Sequence, residues 1–189
     1  MMKKDRLYLV IFLAIIIASG AVIYRFQSSR SLPSDHPSIS DEQSQFTVTL
    51  IKQISQLKRQ LEEDPDNYSL LVQLGNSYYD LNSPAESIRY YERALEMRPN
   101  SPEVIVDCGT MYRELGEVEK AIEMFTGAME LAPDLPQAFF NLGAVLLGEK
   151  NDPEAAAEIW QKFLDNNPGV RPELKNFFEE KIAQVSGLE

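Results

Sequence analysis

Residues 68–101 read YSLLVQLGNSYYDLNSPAESIRYYERALEMRPNS, and the same pattern returns twice further along the 189-residue chain. Moving Leu74, Gly75, Tyr78, Ser87, Tyr91, Ala94 and Pro99 forward by 34 lands on Cys108, Gly109, Tyr112, Ala121, Phe125, Ala128 and Pro133. A further step of 34 lands on Leu142, Gly143 and Leu146. The match then resumes one residue late at Ala156, Trp160, Phe163 and Pro168, which places an insertion near Glu149–Asn151. A fixed period of this length marks stacked units, none of which can bury its apolar face alone. The three units run over 68–101, 102–135 and 136–170.

Within each unit the apolar residues fall three and four apart in two blocks, the spacing of two amphipathic helices. Leu71, Leu74 and Tyr78 mark the first helix of the first unit, and Ile88, Tyr91 and Leu95 the second. Gly75, Gly109 and Gly143 stand in mid-helix, where glycine costs about 1 kcal/mol relative to alanine. A cost that recurs in register implies close helix–helix contact, with the small residues Ser87, Ala121 and Ala156 expected to face the glycines. Pro99, Pro133 and Pro168 are expected to end each second helix, because proline lacks the amide donor and disfavours α geometry before it.

Glycine, aromatic, small residue, aromatic, alanine and proline at this interval resemble the tetratricopeptide repeat. The resemblance implies helical hairpins stacked into a solenoid. Two departures fall in the last unit, where Leu146 replaces the aromatic and Phe163 replaces the small Ala94 and Ala128. Outside the repeats, Ser40 and Gln43 have capping-box spacing. A lead helix over 41–65 then carries Phe46, Leu50, Ile54, Leu57 and Leu61 on one stripe. Pro172 opens a final helix over 171–186, with Leu174, Phe177, Phe178, Ile182 and Val185 apolar. Terminal helices of this kind cover the open ends of a repeat stack. The expected fold class is all-α: three repeats between flanking helices, behind one N-terminal transmembrane helix.

Charge separates that N-terminal segment from the rest. The chain carries 18 Lys+Arg against 29 Asp+Glu, a net charge of −11, yet residues 1–30 hold five basic residues and a single acidic one. Leu7 to Tyr24 is an uncharged apolar run of 18 residues, roughly 27 Å as a helix and near the thickness of a hydrocarbon core. Ala18 and Gly20 suit a cleaved signal peptide, but the run continues through Ala21, Val22, Ile23 and Tyr24, which favours an uncleaved signal anchor. Lys3, Lys4 and Arg6 precede it, so the positive-inside rule leaves residues 1–6 in the cytoplasm. The acidic bulk then faces the periplasm from the bacterial inner membrane. Residues 25–40, rich in serine with Pro33 and Pro37, read as a flexible linker.

The acidic balance argues against nucleic acid as a partner, because phosphate binding needs a basic footprint. One Cys and one His exclude an intrachain disulfide and a Cys/His zinc site. Neither a Gly-rich phosphate loop nor a paired nucleophile and base occurs, so a catalytic role and a bound cofactor are not expected. Cys108 falls in a core column and reads as a packed thiol. Glu62-Glu63 and Glu179-Glu180 read as solvated helix faces rather than metal ligands.

Function is therefore expected in a surface. In the implied architecture the first helices of successive repeats line a concave groove. Val72, Val106 and Phe140 form an apolar row along it. Gln73, Asn76, Tyr79, Asp107, Thr110, Arg113, Gln137, Asn141 and Ala144 are the other candidate peptide-binding residues, bordered by Asp80, Glu103, Glu114 and Leu147. An apolar stripe with acidic sides suits an amphipathic or basic peptide. Tetratricopeptide proteins that hold chaperone C-termini use a basic, asparagine-lined clamp. Only Asn76 matches it here, since Asp107 replaces the second asparagine and Val72, Gln137 and Asn141 stand where basic residues are expected.

A narrower resemblance is to the membrane-anchored tetratricopeptide factors of bacterial cytochrome c biogenesis, subunits of haem lyase systems. It rests on the N-terminal anchor, the lead helix closing with Leu57, Leu61 and Pro65-Asp66-Asn67, the Leu71–Gly75 motif, and the segment Glu158–Leu164 around Trp160 followed by Asn167-Pro168. The resemblance implies an adaptor that holds an apocytochrome c segment while a haem lyase partner attaches haem. A general cell-envelope scaffold for assembling membrane protein complexes is the competing expectation. No CxxC occurs, so the chain itself would neither carry covalent haem nor exchange disulfides.

Overall fold

The computed structural model describes the backbone of residues 39–187 and the side chains of residues 44–187. The n-region, the apolar run and the linker up to residue 38 lie outside the described residues. Among the described residues there are eight helices and no strand: α1 (Ile39–Glu63), α2 (Tyr68–Asp80), α3 (Pro84–Met97), α4 (Pro102–Glu114), α5 (Val118–Leu131), α6 (Pro136–Gly148), α7 (Pro153–Asn166) and α8 (Pro172–Ser186). None of them is long and apolar enough to cross a membrane. The chain divides into residues 1–46 and a compact unit of residues 47–189 that holds α2 to α8. Helix α1 begins at Ile39, so Ser40 stands inside it rather than capping it.

Local chemistry sets the helix ends. Five helices open with proline in the first turn, where its missing amide leaves no bond unmade. The side chains of Asn67 and Asp152 cap α2 and α7 by accepting from Leu70 N at 3.1 Å and Ala155 N at 2.9 Å. Helices α3, α5 and α7 each stop two residues before Pro99, Pro133 and Pro168. The turn inside each hairpin needs one left-handed residue, and Asn82 (φ 52°), Gly116 (φ 78°) and Asn151 (φ 53°) supply it, two of them the residue type that tolerates this region after glycine. Ser83 N donates to Tyr78 O and Glu117 N to Tyr112 O, both at 2.9 Å. In the third hairpin Asp152 N reaches Leu146 O, so the added residue is looped out within this turn.

The hairpins α2–α3, α4–α5 and α6–α7 pack in succession, with α4 also against α6 and α8 against α7. One core runs through them, including Leu71, Leu74, Ala94, Cys108, Ala121, Phe125, Ala128, Phe139 and Phe163, all at most 1% exposed. Leu50, Ile54, Leu57 and Leu61 of α1 are buried, whereas Phe46 at the head of the same stripe is 58% exposed. Lys58 of α1 sets its Nζ 5.4 Å from the centre of the Tyr78 ring of α2, and Tyr78 in turn stacks on Tyr90 of α3 at 5.6 Å.

The mid-helix glycines are crowded, but by a different neighbour from the one expected. A Cβ at Gly75, Gly109 or Gly143 would run into the rings of Tyr91, Phe125 and Trp160, which lie four residues beyond Ser87, Ala121 and Ala156. Ser87 still meets Gly75, donating its hydroxyl to the glycine carbonyl at 2.9 Å. At the C-terminal end the aromatics form a continuous cluster. Phe163 lies 5.3 Å from Phe139 and 4.5 Å from Phe178, while Phe140 lies 6.5 Å from Trp160 and 5.3 Å from Phe177.

Cys108 is fully buried, and burial together with the Glu92 and Asp107 carboxylates pushes its thiol up to about 12. Reaction therefore requires the second repeat to open. Labelling of native protein by a thiol reagent at pH 8 should be at least about a thousandfold slower than labelling in urea, as expected of a domain several kcal/mol stable. Immediate stoichiometric labelling would show that this repeat is open in solution.

Candidate functional site

The face made by α2, α4 and α6 is a chain of shallow clefts rather than one pocket. Val72 and Gln73 border the first, of about 580 Å³, with Asp64, Asp66, Tyr68, Met97 and Arg98 among its other walls. The Arg98 guanidinium sits over the Tyr68 ring at 4.1 Å, and the Gln73 amide is bonded within its own helix to Ser69 O at 3.2 Å. Asn76, Tyr79 and Asp107 meet in the second, of about 330 Å³, together with Asp80 and Tyr91. Val106, Asp107 and Gln137 share the third, of about 100 Å³, with Glu103 and Leu135.

Of the remaining candidates, Thr110, Asn141 and Arg113 are bonded across repeats. Asn141 Nδ2 donates to Thr110 Oγ1 at 3.3 Å, and Thr110 donates to Val106 O at 3.0 Å. Arg113 Nε donates to Glu149 Oε1 at 2.6 Å, a partly exposed ion pair worth no more than about 1 kcal/mol. Phe140 is half-buried between Trp160 and Phe177. Ala144 is half-buried too. The expected apolar row is consequently uneven, because Val106 is only 5% exposed and floors its cleft while Phe140 is partly covered by α8.

Two core positions of the repeat pattern, not counted among the groove candidates, also shape the surface. Tyr91 belongs to the second helix of its hairpin, yet its ring passes beside Gly75 and its hydroxyl donates to Asn76 Oδ1 at 2.8 Å inside the second cleft. Trp160 does the same beside Gly143, its indole N–H donating to Phe140 O at 3.4 Å. The available signal is the polar tip: the equivalent position in the second repeat is Phe125, which has none. Leu135, in the loop between repeats, is a third residue outside the candidate set that lines a cleft.

The electrostatics of the second cleft are one-sided. Burial, and behind it the Glu103 carboxylate, raise the pKa of Asp107. Burial also raises the Tyr79 hydroxyl, and the carboxylates of Asp107, Glu114 and Asp80 push it the same way. Burial, with Asp107 next, raises Tyr91. Of the ion pairs formed among the described residues, none involves Asp80, Glu103, Asp107 or Glu114. Among the described residues no cluster of three or more His, Cys, Asp and Glu is arranged to hold a metal ion.

Comparison with known proteins identifies the repeats. Residues 68–101 and 137–169 match the family described as Tetratricopeptide repeat, and residues 109–148 match the related TPR repeat. None of the curated proteins matches the sequence significantly. Among solved structures, MamA is 22% identical with a TM-score of 0.63 over 79% of this chain and 84% of that one. YrrB, described as a TPR protein with an unusual peptide-binding site, is 23% identical with a TM-score of 0.60, over 70% of this chain and 66% of its own. The first TPR of Spaghetti (RPAP3), bound to the HSP90 peptide SRMEEVD, is 19% identical with a TM-score of 0.52 over 63% of this chain and 93% of that one. At these identities the likeness establishes the fold.

Proposed function

We propose, from the premise that this chain carries tetratricopeptide repeats, that it is a non-catalytic adaptor holding a polypeptide segment along α2, α4 and α6. The observation that carries the reading is the run of clefts bordered in turn by α2, α4 and α6, in which the polar Gln73 and Asp107, and Glu103 and Gln137, stand 34 residues apart beside the apolar Val72 and Val106. The peptide-binding site of YrrB and the HSP90 peptide on the Spaghetti domain support it by likeness of fold. Residues 7–24 anchor the chain in the bacterial inner membrane, and the repeats face the periplasm; the apolar run and its basic flank support this.

In its finer form the held segment is an unfolded apocytochrome c and the neighbouring subunit a haem lyase. The resemblance of the lead helix and of the Trp160 segment supports that form. A test uses the full chain in detergent micelles, titrated against a haem-free cytochrome c and against the same cytochrome folded with haem, read by fluorescence anisotropy. Binding of the unfolded form alone is the expected result, weakened by Asn76→Ala with Asn141→Ala. Binding only to folded envelope proteins would favour the general scaffold and overturn the finer form.

A further inference from the structure

The second and third clefts adjoin and share Asp107, and together they describe a ligand. The larger one is lined by Tyr79, Asp80, Tyr91 and Asp107, with the Tyr91 hydroxyl donating to Asn76 Oδ1. The smaller has an apolar floor of Val106 and Leu135 beside Glu103. Arg113 is the cation of this stretch, and it is already engaged by Glu149. A half-buried carboxylate left without a cation is held at a cost that an incoming positive group would relieve. Tyrosine faces add the attraction of a ring for a cation. The charge that fits is positive, and the apolar floor beside it sets the neighbouring side chain.

We propose that these clefts seat a basic peptide segment, a lysine or arginine side chain lying between Tyr79 and Asp107 and a small aliphatic side chain entering over Val106 and Leu135. The inference rests on the peptide-holding reading above and deepens it by naming the charge of the occupant. Asp80 and Asp107 line the cleft in which the cation is placed, and together with Glu114 their carboxylates raise the Tyr79 hydroxyl. An acidic peptide would meet like charge along the same wall.

The test uses the full chain in detergent micelles and three fluorescent peptides of one length, alternating leucine with lysine, with glutamine or with glutamate. The lysine peptide should bind, with an affinity that falls as salt is raised, and the glutamate peptide should not. Asp107→Asn with Asp80→Asn should weaken the lysine peptide by about tenfold and flatten the salt dependence, with the circular dichroism unchanged. Asp80→Lys, at an exposed position, should weaken it as well without any change in the core. Glu62→Gln with Glu63→Gln on α1 should have no effect. Equal binding of the glutamine peptide, or indifference to both aspartate substitutions, would overturn the cation subsite while leaving peptide holding intact. Failure of all three peptides and of unfolded cytochrome would overturn both.

Discussion

Gly143→Ala should lower the stability of the protein by about 2 kcal/mol, the cost of forcing extra volume into a packed core. Helix propensity alone predicts the opposite sign, because alanine is the better helix former by about 1 kcal/mol. Packing wins because the added Cβ would fall inside the indole of Trp160, 2.8 Å from its Cδ1 and nearer still to Nε1. The ring has little room to retreat: it is 2% exposed, faces Phe140, and spends its N–H on the Phe140 carbonyl. Trp160→Ala alone should cost about 3–5 kcal/mol. In that background Gly143→Ala should become neutral or stabilising, since the clash is gone and the propensity gain remains. Urea unfolding of the four proteins in this cycle yields the coupling. Equal losses in both backgrounds would show that Gly143 acts through its backbone and not through the ring beside it.

Phe178→Ala should cost about 3–5 kcal/mol, concentrated at one end of the molecule. Phe178 is fully buried although it sits on the last helix, because its ring lies 4.5 Å from Phe163, which in turn meets Phe139. In a stack where each unit touches only its neighbours, a defect in the terminal unit spreads weakly. Amide hydrogen exchange should therefore lose protection in α6, α7 and α8 while α2 and α3 keep theirs. Uniform loss along the chain would mean that the stack opens as a single cooperative body.

The parts of this structure written in short-range patterns were legible in advance. The 34-residue period depends on helix packing repeated in one geometry, so Gly75, Tyr78, Tyr91, Ala94 and Pro99 announce it and their counterparts repeat it. The stop at each proline and the start at several others are likewise local. The surface was legible only as a set of positions. That Val72 and Gln73 open into one cleft while Asn76 and Tyr79 open into another depends on how successive hairpins rotate against each other, which no spacing encodes. Arg113 looks like a free cation from its position, and the partner that engages it, Glu149, comes from the next repeat. Tyr91 counts as core by periodicity and is indeed 1% exposed, yet its terminal oxygen belongs to the groove. A residue with an apolar body and a polar tip cannot be sorted into one compartment by a pattern that scores it once.

The looped-out residue before Asp152 separates two properties that a continuous helix would bind together. Inside a helix, one added residue turns everything downstream by about 100° and would carry Trp160 away from Gly143. At a reversal of direction the same addition is taken up inside the turn closed by Asp152 N on Leu146 O. Asn151 supplies the left-handed residue that the other two hairpins also have, and the next helix starts again in step. Each hairpin turn thus resets the phase of the chain, and an error in length made there is forgotten within one turn of helix. The third unit is one residue longer than its neighbours, yet Ala156, Trp160 and Phe163 remain as buried as Ala121, Phe125 and Ala128.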